Sequence, residues 1–153
     1  MVLEAYGLTE NAAALTGNLP HARKFGSVGR PFPGVRIEID RGVEGSKEED
    51  GEVVAYGENI MKGYHNLPEE TKKTLKKDHG LRTGDLGHLD DDGFLFITGR
   101  IKEMLIIGGE NVFPREIEEV LTNHEDVIAA GVVGRKDTSR GEVAVAFVEL
   151  REG

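Results

Sequence analysis

Short apolar segments separated by glycine or aspartate turns run through much of this chain, and they constrain its fold more than any other feature. Residues 34–39 (GVRIEI) alternate polar and apolar side chains, and residues 52–57 (EVVAYG) form a second β-type pattern. LGHLD and GFLFITG indicate two more strands, joined by the turn DDDG. The 21 glycines are spread among these pieces, as expected where a chain turns often. The pattern predicts a β-rich fold for this part of the chain.

The pattern changes after residue 100. PREIEEVLTNH predicts a helix that Pro114 opens and on which Ile117, Val120 and Leu121 share one face. The apolar segments VIAAGVVG and EVAVAFVEL predict two strands beyond it. Earlier in the chain, LPEETKKTLKKDHG predicts only a short surface helix. We therefore expect an α+β protein, with a β-rich subdomain over 1–99, a small α+β domain over 100–153 and the boundary at residues 100–103.

Composition excludes several classes of function. The chain has no cysteine, which rules out disulfides and thiolate chemistry. Its 19 basic and 28 acidic residues give a net charge of −9 without a basic patch, so we expect no nucleic-acid partner. The longest apolar run, MLII, is far too short for a transmembrane segment. The five histidines lack metal-ligand spacing. A cytoplasmic location fits these features.

Six motifs occur in a fixed order, and together they carry a family resemblance. They are YGLTE, GEVVAYGENIMKGY, LRTGDLG, FLFITGRIKE, IIGGENVFPREIEEVL and GEVAVAFVEL. With them the chain resembles the adenylate-forming superfamily of acyl-CoA synthetases, luciferases and peptide-synthetase adenylation domains. It is most similar to fatty-acid–CoA ligases. In this superfamily an acid and ATP give an acyl-adenylate and pyrophosphate, and a thiol, usually of coenzyme A, then displaces AMP. The resemblance implies ATP, Mg²⁺, coenzyme A and a carboxylic, fatty acid as ligands.

The resemblance also assigns roles to the YGLTE motif. Tyr6 would stack on adenine, Thr9 would donate its hydroxyl to the α-phosphate, and Glu10 would help to hold Mg²⁺, which prefers oxygen ligands. Taken without the resemblance, the same residues suit the end of a strand followed by a capped turn.

Two charged residues further along the chain belong to the same implied site. Asp85 would accept hydrogen bonds from both ribose hydroxyls, and Arg100 would reach the ribose or a phosphate. The aspartates of the DDDG segment, residues 90–92, are instead interpreted as turn residues.

Three residues of the last third of the chain match motifs tied to conformational change and thiol binding. Lys102 falls at the family's hinge, where the small domain changes its pose between the two half-reactions. Gly108 and Gly109 match the turn that lines the pantetheine channel. An exposed lysine at a strand start and a tight hairpin explain these three residues equally well.

Several family elements do not occur in this sequence. There is no Ser/Thr/Gly-rich phosphate loop followed by lysine, no acyl pocket and no late catalytic lysine, and KDHGL replaces the usual aromatic arm before LRTGD. We therefore expect a fragment of a longer ligase that is inactive alone and that could self-associate through a face the rest of the enzyme covers.

Two alternatives stay open. The parent could be an adenylation domain or a luciferase-like enzyme that uses another acceptor. The chain could instead be a non-catalytic nucleotide-binding or interaction module. A carrier domain elsewhere in the parent would favour the first alternative.

Overall fold

A computed structural model describes residues 1–43, 45–46 and 49–151 of the chain. Its residues form two compact units, Met1–Ile97 and Thr98–Gly153. The fold is α+β and β-rich, as predicted. The assignment of the two parts to subdomains of a longer ligase stays a prediction.

The first unit begins with a small antiparallel sheet of three two-residue strands. These are β1 (Ala5–Tyr6), β2 (Thr16–Gly17) and β3 (Arg30–Pro31), in the order β1-β2-β3. Gly29 precedes β3 with a φ of +89°, and a Cβ atom there would lie 1.9 Å from the carbonyl carbon of Gly17. Only glycine combines that backbone angle with so close an approach, so this position fixes how β3 meets β2.

A second sheet supplies most of the core of the first unit. Its strands are β4 (Arg36–Asp40), β5 (Gly51–Tyr56), β6 (Leu81–Leu89) and β7 (Leu95–Arg100), in the order β4-β5-β6-β7. β5 pairs antiparallel with both of its neighbours and is almost completely buried, which explains its continuous apolar run. The buried core consists of Leu15, Ile37, Val53, Ala55, Leu81 and Leu95.

The helix between β5 and β6 is shorter than predicted. Helix α1 (Pro68–Thr74) begins at Pro68 and buries no side chain, which agrees with a surface position. It does not continue through residues 75–80, because Leu75 is extended and bridges to Leu81. The backbone then turns, with the N–H of Lys76 donating to the carbonyl of Gly80 at 2.8 Å. The prediction of helix through the lysine pair at 76 and 77 was therefore wrong.

The turn between β6 and β7 has the structural role predicted for its aspartates. The Oδ1 atom of Asp90 accepts hydrogen bonds from the backbone N–H groups of Asp92, at 3.0 Å, and Phe94, at 2.8 Å. Lys24 forms ion pairs with Asp90 and Asp92. The hydrogen bond from Lys24 lowers the pKa of Asp90, so the carboxylate stays ionised to a lower pH than an ordinary aspartate would.

The second unit combines a four-stranded antiparallel sheet with one helix. After a 3-10 helix (Ile101–Glu103) come β8 (Leu105–Ile107), β9 (Glu110–Val112), α2 (Pro114–Thr122), β10 (Val127–Asp137) and β11 (Gly141–Leu150). The strand order is β10-β11-β8-β9, and α2 packs against β10. Leu105, Phe113 and Val132 are buried here. The loop between β10 and β11 is shorter than the RKDTSRG segment that separates the two predicted strands VIAAGVVG and EVAVAFVEL, because β10 continues to Asp137.

Helices α1 and α2 contain seven and nine residues. Neither these nor any other helix in the described part of the chain has the length and hydropathy needed to span a bilayer.

Candidate functional site

The YGLTE segment forms the end of β1 and a short 3-10 helix, Thr9–Asn11. Thr9 is exposed and Glu10 is half-buried. Asn11 is 1% exposed, and its Oδ1 atom accepts the N–H of Leu8 at 2.5 Å. Its carbonyl oxygen accepts a hydrogen bond from the Nδ2 atom of Asn59 at 3.2 Å. A buried asparagine thus fixes the turn that presents Thr9 and Glu10.

Glu10 is held by a segment 54 positions further along the chain. The Tyr64 hydroxyl donates to Glu10 Oε1 at 2.7 Å, and the backbone N–H of Met61 donates to the carbonyl of Glu10 at 2.7 Å. The hydrogen bond to Glu10 raises the pKa of Tyr64, so the phenol remains a donor to a higher pH than an ordinary tyrosine would. The position of the Glu10 carboxylate is therefore set by two motifs, YGLTE and GEVVAYGENIMKGY.

Tyr6 and Asp85 lie in direct contact although 79 positions separate them. The Tyr6 hydroxyl donates to Asp85 Oδ2 at 2.6 Å, and Asp85 is only 2% exposed. This short bond joins the YGLTE motif to the LRTGDLG motif at one place, the edge of the first unit's core.

Asp85 lies inside β6, whereas the strand predicted from LGHLD begins one residue later, at Leu86. β6 already begins at Leu81, and its pairing with β5 shifts between Glu52↔Leu86 and Val54↔Arg82. Only Val53 lies between these pairs on β5, whereas residues 83–85 lie between them on β6. This two-residue excess is a β-bulge, and Gly84 takes a φ of +74° within it. Gly84 and Asp85, a pair that is typical of turns, lie in this bulge.

The bulge is fastened by polar side chains. Glu52 accepts a hydrogen bond from the N–H of Gly84 at 3.2 Å and one from Arg82 at 2.5 Å. Thr83 Oγ1 donates to the carbonyl of Val53 at 2.8 Å and accepts the N–H of Asp85 at 3.1 Å. Side chains thus replace ladder hydrogen bonds that the bulge interrupts.

The remaining predicted residues lie in the second unit. Arg100 is exposed at the end of β7, and Lys102 is exposed within the 3-10 helix Ile101–Glu103. Gly108 and Gly109 form the two-residue turn of the β8–β9 hairpin, with φ angles of +62° and +91°. A Cβ atom at either position would meet nothing within 4 Å. The positive φ angles, and not a lack of space for a side chain, therefore explain why glycine occupies both positions.

The oxygen donors of the site suit a hard cation that keeps most of its water. Within the part of the chain that the structure describes, no group of three or more His, Asp or Glu side chains could hold a metal ion. Mg²⁺ is commonly bound through one or two carboxylates together with substrate phosphates. The half-buried carboxylate of Glu10 fits such a partial site.

Comparison with known sequences assigns the family. Residues 1–65 match the sequence model of the AMP-binding enzyme, and residues 116–153 match that of the AMP-binding enzyme C-terminal domain. The chain belongs to the AMP-binding enzyme family. The resemblance recognised in the sequence is thereby confirmed.

Relatives of this AMP-binding enzyme chain differ in the acid named for them. It is 44% identical to a sulfoacetate–CoA ligase of Cupriavidus necator, with 99% of the chain matched to 30% of that protein. It is 40% identical to a long-chain-fatty-acid–CoA ligase of Bacillus subtilis, with 99% matched to 28%. The chain spans about 30% of the length of these curated relatives.

A solved structure shares the fold of this chain. The o-succinylbenzoate coenzyme A synthetase of Bacillus subtilis, in complex with ATP and magnesium ion, is 37% identical. The TM-score is 0.83, and the match covers 99% of this chain and 32% of that one.

Sequence reasoning missed the residues that support the site. Asn11, Glu52 and Tyr64 were given no role, although all three lie in motifs that carry the family resemblance or directly after one. The available signal was chemical: Glu52 is a carboxylate directly before the apolar run of β5, and a charge buried in a strand requires a partner.

Proposed function

We propose that this chain is part of an ATP-dependent acid–thiol ligase that forms an acyl-CoA. The Tyr6–Asp85 hydrogen bond of 2.6 Å carries the proposal, because it unites two family motifs around a buried carboxylate. Membership of the AMP-binding enzyme family supports it, as do the relatives that are CoA ligases.

In the first half-reaction a carboxylate oxygen of the acid attacks the α-phosphate of ATP, and pyrophosphate leaves with the electrons of the broken P–O bond. Tyr6 would stack on the adenine, Thr9 would donate its hydroxyl to the α-phosphate, and Asp85 would accept from the ribose hydroxyls. Arg100 would contact the ribose or a phosphate with its permanent charge. Glu10 would hold Mg²⁺, which supplies charge neutralisation when bound.

Ribose binding at Asp85 requires a local exchange of hydrogen bonds. Asp85 is only 2% exposed, and the Tyr6 hydroxyl already donates to it. We propose that a nucleotide turns the half-buried Tyr6 ring toward the adenine, so that ribose hydroxyls replace the phenol as donors. The carboxylate then keeps a donor in both states, which avoids leaving a buried charge without a partner.

In the second half-reaction the thiol of coenzyme A loses its proton and its sulfur attacks the acyl carbonyl. The bond between the acyl carbon and the AMP oxygen breaks, and AMP leaves with the electrons of that bond. Gly108 and Gly109 would line the channel for the pantetheine arm. Their exposed turn leaves the backbone uncovered, since no side chain projects from either residue. Lys102 would act as the hinge between the two half-reactions.

The hinge proposal predicts different effects on the two half-reactions. Lys102→Pro fixes φ at one exposed position of the 3-10 helix and disfavours the helical conformation of Ile101 before it. In the intact enzyme it should slow thioester formation on the order of tenfold more than pyrophosphate exchange. Lys102→Ala, which keeps backbone freedom, is the matched control. Equal losses in both half-reactions for Lys102→Pro would rule out the hinge.

The acid itself is the least defined part of the proposal. We propose that the acid is a fatty acid, supported by the similarity to the long-chain-fatty-acid–CoA ligase of Bacillus subtilis. We also propose that the enzyme is cytoplasmic. Sulfoacetate is the competing class, since the ligase named for it is 44% identical. The test is pyrophosphate exchange by the intact enzyme with a panel of fatty, aromatic and sulfonated acids, followed by coenzyme A. Fatty-acid-dependent exchange and acyl-CoA formation are expected. Pyrophosphate exchange that does not depend on any acid of the panel would contradict the assignment as an acid–thiol ligase.

A further inference from the structure

We infer that Glu52 is a positioning residue that holds Asp85 where it meets the ribose. The inference rests on the proposed function, because it assumes that Asp85 recognises the ribose hydroxyls. It concerns the nucleotide selectivity of that site and assigns a role to a residue on the neighbouring strand.

Glu52 needs its hydrogen-bond partners. Its side chain is 6% exposed, and a carboxylate so deeply buried is costly unless it is paired and hydrogen-bonded. One oxygen, Oε2, accepts from Arg82 at 2.5 Å, and the other, Oε1, accepts from the N–H of Gly84 at 3.2 Å. Arg82 also lies 3.5 Å from the Asp40 carboxylate. Glu52 therefore sits at the centre of a network and cannot turn away at low cost.

Both of these hydrogen bonds close the β-bulge of β6. Arg82 is the last regularly paired residue on one side of the bulge, opposite Val54. Gly84 lies inside it with a φ of +74°, directly before Asp85. A single carboxylate thus bridges the start of the bulge and its left-handed residue. This contact fixes the direction in which the chain enters Asp85.

The bulge in turn decides which way Asp85 points. Asp85 reaches the Tyr6 hydroxyl at 2.6 Å from within a strand whose regular pairing resumes only at Leu86. The φ of +74° at Gly84 departs from extended backbone, so the side chain of the next residue, Asp85, does not follow the simple alternation of a regular strand. Without Glu52 the bulge loses the acceptor for the Gly84 N–H, and the carboxylate of Asp85 loses its fixed position.

The test uses Glu52→Gln in the intact enzyme, with nucleotide preference as the readout. An amide can satisfy only one of the two partners, because its NH₂ group would face either Arg82 or the N–H of Gly84. We expect the wild type to prefer ATP over 2′-deoxyATP by about tenfold or more in kcat/KM for pyrophosphate exchange. Glu52→Gln should reduce this preference to about twofold or less. A substitution that only destabilises the fold would lower kcat/KM equally for ATP and for 2′-deoxyATP. The ratio of the two values would then stay unchanged.

Two further variants separate the possible outcomes. Glu38→Gln removes an exposed carboxylate that pairs with Arg36 on β4, away from the bulge, and should keep the wild-type ratio. If Glu52→Gln does not fold, Thr83→Val replaces it, since it removes the hydroxyl that accepts the Asp85 N–H. Thr83→Val should lower the preference for ATP in the same way. An unchanged ratio in the folded test variant, or an equal loss in Glu38→Gln, would overturn the inference.

Failure of the underlying function has a different signature. If the wild type shows no preference for ATP, or Asp85→Ala retains it, then Asp85 does not recognise the ribose and the proposed site is wrong. If Asp85→Ala abolishes the preference and Glu52→Gln keeps it, only the role of Glu52 is wrong.

Discussion

Replacement of Asp85 by alanine in the intact enzyme should reduce kcat/KM for ATP in pyrophosphate exchange by about tenfold to a hundredfold. A hydrogen bond to a charged group contributes roughly 1.5 to 3 kcal/mol, which corresponds to that range of rates. Asp85 is 2% exposed and bound to Tyr6, so its removal takes away both the proposed ribose acceptor and the partner of a half-buried phenol. Arg100→Ala should also reduce kcat/KM for ATP, because it removes a permanent positive charge that is proposed to contact the anionic nucleotide.

The control for this experiment is a carboxylate that the structure places outside the site. Asp91→Ala removes an exposed aspartate from the β6–β7 turn, and Asp90 supplies that turn's hydrogen bonds to the backbone. Asp91→Ala should leave the ATP kinetics unchanged. Thermal unfolding of each variant separates loss of fold from loss of binding. Unchanged ATP kinetics in folded Asp85→Ala and Arg100→Ala would refute the nucleotide assignment.

The sequence predicted the strands of the fold well where the hydrophobic pattern was regular. β4 alternates polar and apolar residues because one of its faces is buried. β5 carries a continuous apolar run because both of its faces are buried. β6 was placed correctly only in its second half. Its first half contains Gly84 and Asp85, which favour turns, and here the neighbouring strand absorbs them in a bulge. Tertiary pairing overrode the local preference.

The site was predicted as separate motifs and not as a geometry. Roles for Tyr6 and Asp85 came from the family resemblance, but their mutual hydrogen bond spans 79 positions and leaves no periodic signal in a single sequence. The same holds for Tyr64, which donates to Glu10 across 54 positions. Asn11 precedes a run of three alanines and is nevertheless the buried centre of its turn. Such contacts depend on how strands meet, and composition cannot reveal them.

The 153 residues tested alone should form no measurable acyl-CoA. Adenylation requires that the triphosphate and the acid are held together and that charge is neutralised as pyrophosphate leaves. The residues proposed for the site supply the adenine and ribose contacts, one α-phosphate contact, one further contact at Arg100 and one metal ligand. The sequence contains no Ser/Thr/Gly-rich phosphate loop followed by lysine. Transition-state stabilisation that such elements provide cannot be replaced by contacts that bind the ground state equally well.

Weak nucleotide binding and self-association should accompany that inactivity. With the adenosine contacts alone, we expect ATP binding no tighter than about 1 mM, on the order of −4 kcal/mol. Several large apolar side chains are strongly exposed, among them Val2 at 93% and Phe25 at 104%, which border a concavity of about 700 Å³. Exposed apolar surface of this kind favours association, which sedimentation at several concentrations would measure.

The decisive measurement for the isolated chain is AMP release. Pure protein is incubated with ATP, Mg²⁺, coenzyme A and the acid panel, and AMP and acyl-CoA are quantified against reactions without acid. Asp85→Ala in the same chain serves as the matched control, because activity at the proposed site should fall when the proposed ribose contact is removed. Background AMP should be identical in the two proteins. Acid-dependent AMP production that disappears in Asp85→Ala would show that these residues catalyse adenylation without the elements proposed to be essential.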